Sequence, residues 1–413
     1  MNRKNRVILH SDMNSFYASV ELIDYPQYKG LPLAVGGDEE NRHGIILAKT
    51  LEAKKMGVKT GEAIWEAKKK CPNLIILPPH YEKYLYYSKK AHDIYYDYTN
   101  QVEPYGMDEC WLDVTGSIKL FESGEKIAEE IRNRIKKELS LTVSIGVSFN
   151  KVFAKLGSDM KKPDAVTIIN KENFKNIVWP LKCEELIMVG KATKKKLNKI
   201  GIKTIGDIAK TKVNILKNIL GINGVKLWKW ANGIDDSEVR DYHYKSSVKT
   251  IGHGITTKSD LVNDNEVRDV FQELAQDISR KLIEYELLAT GVAINVRSNL
   301  LTRKTFQKKL AYPTFSSLEL TEAAMELFKQ YDWNSNLRTL TIRAIDLIDD
   351  NYAFQVCMFE NIKEHERNIK LENTIYSIRK KHGENCITYC NLLVNDKMPT
   401  DDREKVIMPY SYN

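Results

Sequence analysis

Apolar and polar residues recur with different periods along the chain, and the changes of period mark its elements. Residues 6–12 (RVILHSD) form a short apolar run ended by an acid, the pattern of a buried strand. NSFYASVEL follows with helical spacing and with Asn14 or Ser15 as its cap. Between 44 and 80, AKTLEAKKMGV and EAIWEAKKKC read as two helices around a Gly turn, closed by LPPH, so a small and mostly helical insertion is expected. A long helix (YEKYLYYSKKAHDIYYDYT) begins at 81, then come QVEPYG, a strand at ECWLDV and a helix near 123–139. In LTVSIGVS, Leu141, Val143, Ile145 and Val147 alternate with small polar residues, which predicts a strand buried on one face. NKVFAKLGSDM opens another helix. Strands and helices in this order imply an α+β sheet layered on helices.

The composition shifts near 180. Residues 183–236 read as short helices separated by Gly, and DDSEVRDYHYKSS forms a charged joint. A last folded unit from 247 to about 349 has alternating segments (TGVAINVRSN, LRTLTIRAIDLI) and two long helices (NEVRDVFQELAQDISRKLIEYE, SSLELTEAAMELFKQY). The polar remainder, 350–413, holds one helical stretch, HERNIKLENTIYSIRKKHG. At 413 residues the chain exceeds what one core sustains, so several domains are expected. A net charge of +8 suits a polyanionic partner without requiring one. The six cysteines are scattered, which argues against a disulfide framework, and the spacing of His382, Cys386 and Cys390 lacks the second pair of a zinc site. With no long apolar run and an acidic residue close behind the N-terminal Lys and Arg, neither a membrane span nor a signal peptide is expected, and the cytoplasm is the expected location.

Three acids stand out: Asp12, closing the first strand, and the adjacent Asp108 and Glu109 in YGMDECWLDVTGS. Neighbours on a regular strand point to opposite faces, so both can serve one site only where the backbone is irregular. Gly106 supplies that freedom. Three half-buried carboxylates need cations, and oxygen ligands select Mg²⁺ or Mn²⁺; a pair of ions about 3.5–4 Å apart suits in-line phosphoryl transfer. The alternative is an exposed acidic turn with Asp12 as a helix cap.

The flanking chain decides between them, because it resembles the Y-family, or translesion, DNA polymerases, especially the bacterial polymerase IV-like branch. The resemblance rests on HSDMNSFYASVE (10–21), YGMDECWLDVTGS (105–117), SIGVSFNKVFAKLGSDMKKPD (144–164), the Gly-rich stretch near 190–207 and VKTIGHGITTKSD (248–260), in family order. It implies an α+β multidomain, right-hand-like polymerase. The ferredoxin-like palm would be 1–15 with 80–170, the small fingers 16–79, the helical thumb 171–236, a flexible linker 237–246 and an α/β little finger 247–349. Residues 350–413 would be an extension.

Carried over residue by residue, the resemblance implies that Asp12, Asp108, Glu109 and the Met13 carbonyl hold two Mg²⁺ ions, with Mn²⁺ as a substitute. Phe16 and Tyr17 would lie beneath the incoming deoxynucleotide, Tyr17 acting as the steric gate against a ribose 2′-hydroxyl. Lys155 would neutralise the triphosphate, whereas Asp159 and Lys162 would be structural or DNA-facing. Where many members have Tyr and Arg on the finger helix this chain has Leu51 and Lys54, and Gly106 replaces a common Ser; Lys keeps the charge of Arg but not its bidentate fork.

LIMVGKATKKKLNKIGIKTIGDIAK resembles a helix–hairpin–helix unit, with Gly190, Lys191 and Lys194 as phosphate contacts. Lys249, His253, Thr256, Arg297, Arg303 and Arg343 are expected to meet primer–template DNA from the little finger. QVCMF is similar to a sliding-clamp peptide, with Gln355 at a pocket rim and Met358 and Phe359 filling it. The expected protein is a monomer that copies damaged DNA with low fidelity and without proofreading. A polymerase-like DNA-binding accessory protein with weak or lost chemistry is the main rival, and a nucleotidyl cyclase ranks behind it, since a cyclase needs no DNA-binding units.

Overall fold

The computed structural model describes residues 6–37, 44–241, 243–244, 247–351, 362–393 and 397–398. They fall into two compact units, one before residue 246 and one after it.

The first unit opens with β1 (Ile8–Met13), α1 (Phe16–Asp24), β2 (Leu33–Gly36), β3 (Ile46–Lys49), α2 (Leu51–Lys55), α3 (Ile64–Lys70) and β4 (Ile75–Leu77). It continues through α4 (Tyr81–Tyr96), β5 (Val102–Tyr105), β6 (Glu109–Asp113), α5 (Ile118–Phe121), α6 (Gly124–Leu139), β7 (Val143–Ser148), α7 (Lys151–Met160) and β8 (Val166–Ile169). Short helices complete it: α8 (Phe174–Val178), α9 (Lys191–Asn198), α10 (Ile205–Lys210), α11 (Val213–Leu220) and α12 (Ile222–Ala231).

Its main sheet has the order β5-β6-β1-β7-β8, with β1 antiparallel to both β6 and β7. One face carries Leu9, Met13, Cys110, Leu112, Val143 and Ile145 into a core with Tyr84 and Tyr95 of α4 and Ile127, Ile131 and Ile135 of α6. The other face receives α7. β7 is therefore buried on both faces rather than one. Its small alternate residues are what permit this: a Cβ on Gly146 would lie 1.9 Å from the Ala154 carbonyl oxygen of α7. Gly146→Ala should destabilise the unit by about 1–3 kcal/mol through overpacking, and a thermal melt showing no loss would contradict this seating of α7.

The segment expected to be a helical insertion contributes β3 and β4 to a second sheet, β3-β2-β4, built on the preceding β2. Its strands span only three or four residues, too few for alternation to register. The run read as helical from Ala48 begins its helix after Thr50, whose Oγ1 accepts the Ala53 N–H at 3.4 Å. α8 to α12 close around a core that includes Val178, Leu197, Ile205, Ile208, Leu216 and Leu227. Beyond them, the charged stretch read as a loose joint is held at its start. Val239 is buried with Ile8, Trp111 and Ala154, its carbonyl accepts from Gln101 Nε2 at 3.2 Å, and the Arg240 N–H donates to Glu103 at 2.9 Å.

The second unit has β9 (Ile251–Leu261), α13 (Asp264–Glu284), β10 (Leu287–Ser298), β11 (Arg303–Thr314), α14 (Ser317–Phe328), β12 (Leu337–Asp349) and α15 (Ile362–His382). Its antiparallel sheet runs β11-β10-β12-β9. Val292, Ile294, Val296, Leu340 and Ile342 face Phe271, Leu274 and Ile278 of α13 and Leu320, Ala324 and Phe328 of α14. α15 joins this body through Glu372, which accepts from the Ser317 N–H at 2.8 Å and its hydroxyl at 2.6 Å.

Candidate active site

Asp12 and Glu109 face each other as paired residues of β1 and β6, and Asp108 occupies the turn just before β6. Gly106 opens that turn with φ +79°, in the left-handed region that glycine adopts freely. The turn is fixed to β1 because the Asp108 carbonyl accepts the Met13 N–H at 2.9 Å. The irregular backbone thus brings both adjacent acids to the end of β1, where Met13 also lies.

Cationic side chains from the α7 region enter this cluster. Lys162 Nζ is 2.7 Å from Asp12 and 2.9 Å from Asp159, and Lys155 pairs with Glu109. Lys155 and Asp159 are spaced i, i+4 on α7, and Lys162 follows after the helix ends at Met160 and the chain extends at Lys161. Behind Glu109, the buried His10 ring places Nε2 at 3.2 Å from its carboxylate and Nδ1 at 2.8 Å from the Ser158 hydroxyl. Burial pushes Asp12 up to about 6 despite Lys162; Asp108 also rises to about 6, through burial and then the charges of Asp12 and Glu109. Burial opposes ionisation of Glu109 as well, but His10 and Lys155 outweigh it and hold the carboxyl down at about 2. His10 itself is kept neutral by burial, down at about 4.

A carboxyl with a raised native pKa binds more protons folded than unfolded between its two pKa values, so its ionisation costs stability as pH rises through that window. Asp108→Asn should therefore stabilise the metal-free protein by up to about 3 kcal/mol above pH 6, and the gain should vanish below about pH 4. Unfolding titrations at both pH values check this; an equal effect at both would contradict it.

Three carboxylates and a main-chain carbonyl make an all-oxygen donor set for a hard divalent ion. Among the described residues no three such side chains are assembled into a finished cage, and Lys162 and Lys155 pair with Asp12 and Glu109. The donor chemistry fits a divalent metal, with the lysines as the groups it would displace.

On the neighbouring α1, Phe16 is buried and Tyr17 half-buried. The Tyr17 ring stacks on Tyr84 at 4.2 Å between centroids and meets Tyr81 edge-on, and its hydroxyl contacts Met107 Sδ at 3.5 Å. Tyr84 is held in turn by hydrogen bonds to the buried Glu21 and the His80 N–H. Ser15 occupies the N-cap position of α1, but its side chain makes no capping hydrogen bond. Ser15 has φ +49°, and Asn14 instead donates to Ser144 Oγ at 3.0 Å and accepts the Asp164 N–H at 2.8 Å, tying β1 to β7 and the turn after α7. Lys54 is exposed on α2, close enough to Lys49 to help burial lower that lysine's pKa.

Residues 11–159 match the impB/mucB/samB family and residues 248–355 its C-terminal domain. DNA polymerase IV of Acetivibrio thermocellus is 44% identical over 92% of this chain and 95% of its own length. The chain belongs to the DNA polymerase IV family. Within it, DNA polymerase IV of Bacillus velezensis is 39% identical, covering 94% of this chain and 93% of that one, and DNA polymerase IV of Clostridium acetobutylicum is 35% identical, covering 95% and 100%. In fold, the chain is similar to the Y-family DNA polymerase chimera Dbh-Dpo4(243-245)-Dbh, with a TM-score of 0.75 and 24% identity over 83% of this chain and 99% of that one.

The second unit of this polymerase IV relative sorts the remaining candidates. Across the sheet face away from α13 and α14, Arg303 pairs with Arg297, Arg297 with Thr339, and Thr339 with Thr256. Arg343 lies on the same face, its side chain over Gly252, where a Cβ would come 2.2 Å from Arg343 Cγ. His253 does not join them. It shares the helix-covered face with Ile251 and Ile255, and its Nδ1 is 3.0 Å from Asp277 of α13. Lys249 is exposed just before β9. In the first unit Gly190 precedes the first turn of α9 and Lys191 is exposed there, while Lys194 pairs with Glu184 at 2.7 Å. Gln355, Met358 and Phe359 lie outside the described residues.

Two residues of the site were not recognised from sequence. Lys162, expected to be structural or DNA-facing, is at Asp12, brought there by the chain after α7 in a way that local spacing does not show. His10 gave no signal, because a lone His in an apolar strand reads as core.

Proposed function

We propose that the chain is a low-fidelity, template-directed DNA polymerase for translesion synthesis, joining deoxynucleotides to a primer 3′-hydroxyl with release of pyrophosphate and without proofreading. The observation that carries the reading is the meeting of Asp12, Asp108 and Glu109 at one end of β1, within reach of Lys155 and Lys162. As a member of its family the protein is a DNA-directed DNA polymerase that binds DNA and uses a divalent metal.

The finer assignments are part of the proposal. Asp12, Asp108, Glu109 and the Met13 carbonyl hold two Mg²⁺ ions, for which Mn²⁺ can substitute. When bound, the metal supplies the positive charge that lowers the pKa of the 3′-hydroxyl and balances the triphosphate. Lys155 and Lys162, released from the carboxylates, turn to the phosphates, and Lys54 adds charge from α2. Phe16 and Tyr17 bound the sugar pocket, with Tyr17 excluding a 2′-hydroxyl. The main sheet and its helices serve as palm, residues 16–79 as fingers, α8 to α12 as thumb and the second unit as little finger. Lys249, Thr256, Arg297, Arg303 and Arg343, with Gly190, Lys191 and Lys194, meet the DNA backbone.

The protein acts as a cytoplasmic monomer and docks on a sliding clamp through Gln355, Met358 and Phe359. No helix among the described residues is long and apolar enough to cross a membrane. Primer extension opposite a minor-groove guanine adduct, set against the undamaged template, tests the translesion assignment. The expected result is bypass at a rate close to that of normal synthesis, and a complete stop at the adduct would contradict it.

A further inference from the structure

We infer that His10 is a positioning residue for the metal-binding carboxylate of Glu109, acting through its Nε2–H. The inference rests on the polymerase reading above and adds to it a residue that touches neither nucleotide nor primer.

His10 lies on β1 two residues before Asp12, on the same face, and is completely buried. The ring is held on three sides. Trp111, its partner across β1 and β6, meets it edge-on at 5.0 Å, and that indole is itself fixed by a 3.0 Å hydrogen bond to the Lys151 carbonyl and by packing with Ile8, Ala154 and Val239. The Ser158 hydroxyl of α7 stands 2.8 Å from Nδ1. The remaining ring nitrogen, Nε2, has no hydrogen bond of its own and lies 3.2 Å from Glu109 Oε2, off the line of a formed hydrogen bond but within reach of one once the carboxylate turns to a metal.

A neutral imidazole carries one N–H. On Nε2 it gives Glu109 a donor and lets Nδ1 accept the Ser158 proton; on Nδ1 it would set a lone pair against a carboxylate. The Ser158 hydroxyl also lies 2.7 Å from the Lys155 carbonyl, so its proton has two acceptors, and the carboxylate beyond the ring favours Nδ1.

Lys155 pairs with the same Glu109 oxygen. Among the described residues both contacts fall on Oε2, which leaves Oε1 for a metal. The two partners differ in permanence. Lys155 is a flexible cation required by the triphosphate once nucleotide binds, whereas the imidazole is enclosed by packing and cannot follow. His10 then remains the group that keeps the Glu109 carboxylate in one orientation.

Two substitutions separate the ring's contacts. His10→Asn places a polar group where Nδ1 stood and cannot reach Glu109; His10→Gln extends an amide N–H to the Nε2 position. The readout is Mn²⁺ affinity, by electron paramagnetic resonance of free Mn²⁺, in a complex of the full chain with a dideoxy-terminated primer–template and matched dNTP. Melting temperature and DNA affinity are measured alongside. His10→Asn should weaken Mn²⁺ binding about 10- to 100-fold, as loss of an outer-shell partner does, with DNA affinity unchanged, and His10→Gln should restore most of it. Ser158→Ala, which frees Nδ1 without touching the ring, should shift Mn²⁺ affinity in the same direction by less, and serves if His10→Asn does not fold. Equal Mn²⁺ binding by His10→Asn and wild type, no shift in Ser158→Ala where His10→Asn does not fold, or equal impairment in His10→Asn and His10→Gln, would overturn the inference. Wild-type protein that binds DNA but no Mn²⁺ would overturn the polymerase reading and His10's role with it.

Discussion

Asp108→Asn should lower primer extension by roughly 10³-fold or more while leaving DNA binding intact. The side chain keeps its size, so the turn opened by Gly106 and the Asp108 carbonyl bond to Met13 survive. What is lost is one of the two carboxyls, Asp108 and Asp12, that burial makes costly to ionise. The same change is expected to stabilise the metal-free fold at neutral pH. Inactivity with raised stability therefore assigns the loss to chemistry rather than misfolding, in keeping with active sites that sacrifice stability for function. Single-turnover extension with saturating dNTP is the measurement, and an Asp108→Asn enzyme within tenfold of wild type would remove Asp108 from the metal site.

The second large effect belongs to Tyr17. Its ring is fixed against Tyr84 and Tyr81 and by the contact of its hydroxyl with Met107, so it forms a wall rather than a mobile cover. Tyr17→Ala should reduce discrimination against ribonucleotides roughly 10- to 100-fold, the cost of crowding one hydroxyl into a filled space. Tyr17→Phe keeps the ring and should keep the selectivity. The ratio of kcat/KM for a dNTP and its ribonucleotide decides; an unchanged ratio in Tyr17→Ala would locate the sugar check elsewhere.

The local signals of this site marked residues without fixing their roles, which came from the resemblance to Y-family polymerases. Gly106 followed by adjacent acids, Asp12 at a strand end and an aromatic pair opening a helix are all short-range patterns. The signals that failed depend on what packs opposite. β7 read as half-buried because Ser144, Gly146 and Ser148 look polar, yet they are small enough to seat α7. β2 to β4 are too short to alternate, and Lys162 acquires meaning only when the chain after α7 returns to Asp12. His253 was legible in its phase: its period-two spacing with Ile251 and Ile255 already put it on the helix-covered face, beside Asp277.

The most direct test of the central claim is single-nucleotide addition by the purified full chain to a primer–template, with Mg²⁺ and with all divalent metal chelated. The predicted result is addition of the complementary deoxynucleotide with Mg²⁺ and none after chelation. Tight DNA binding with no nucleotide added under either condition would contradict it, leaving a DNA-binding protein that keeps the fold without the chemistry.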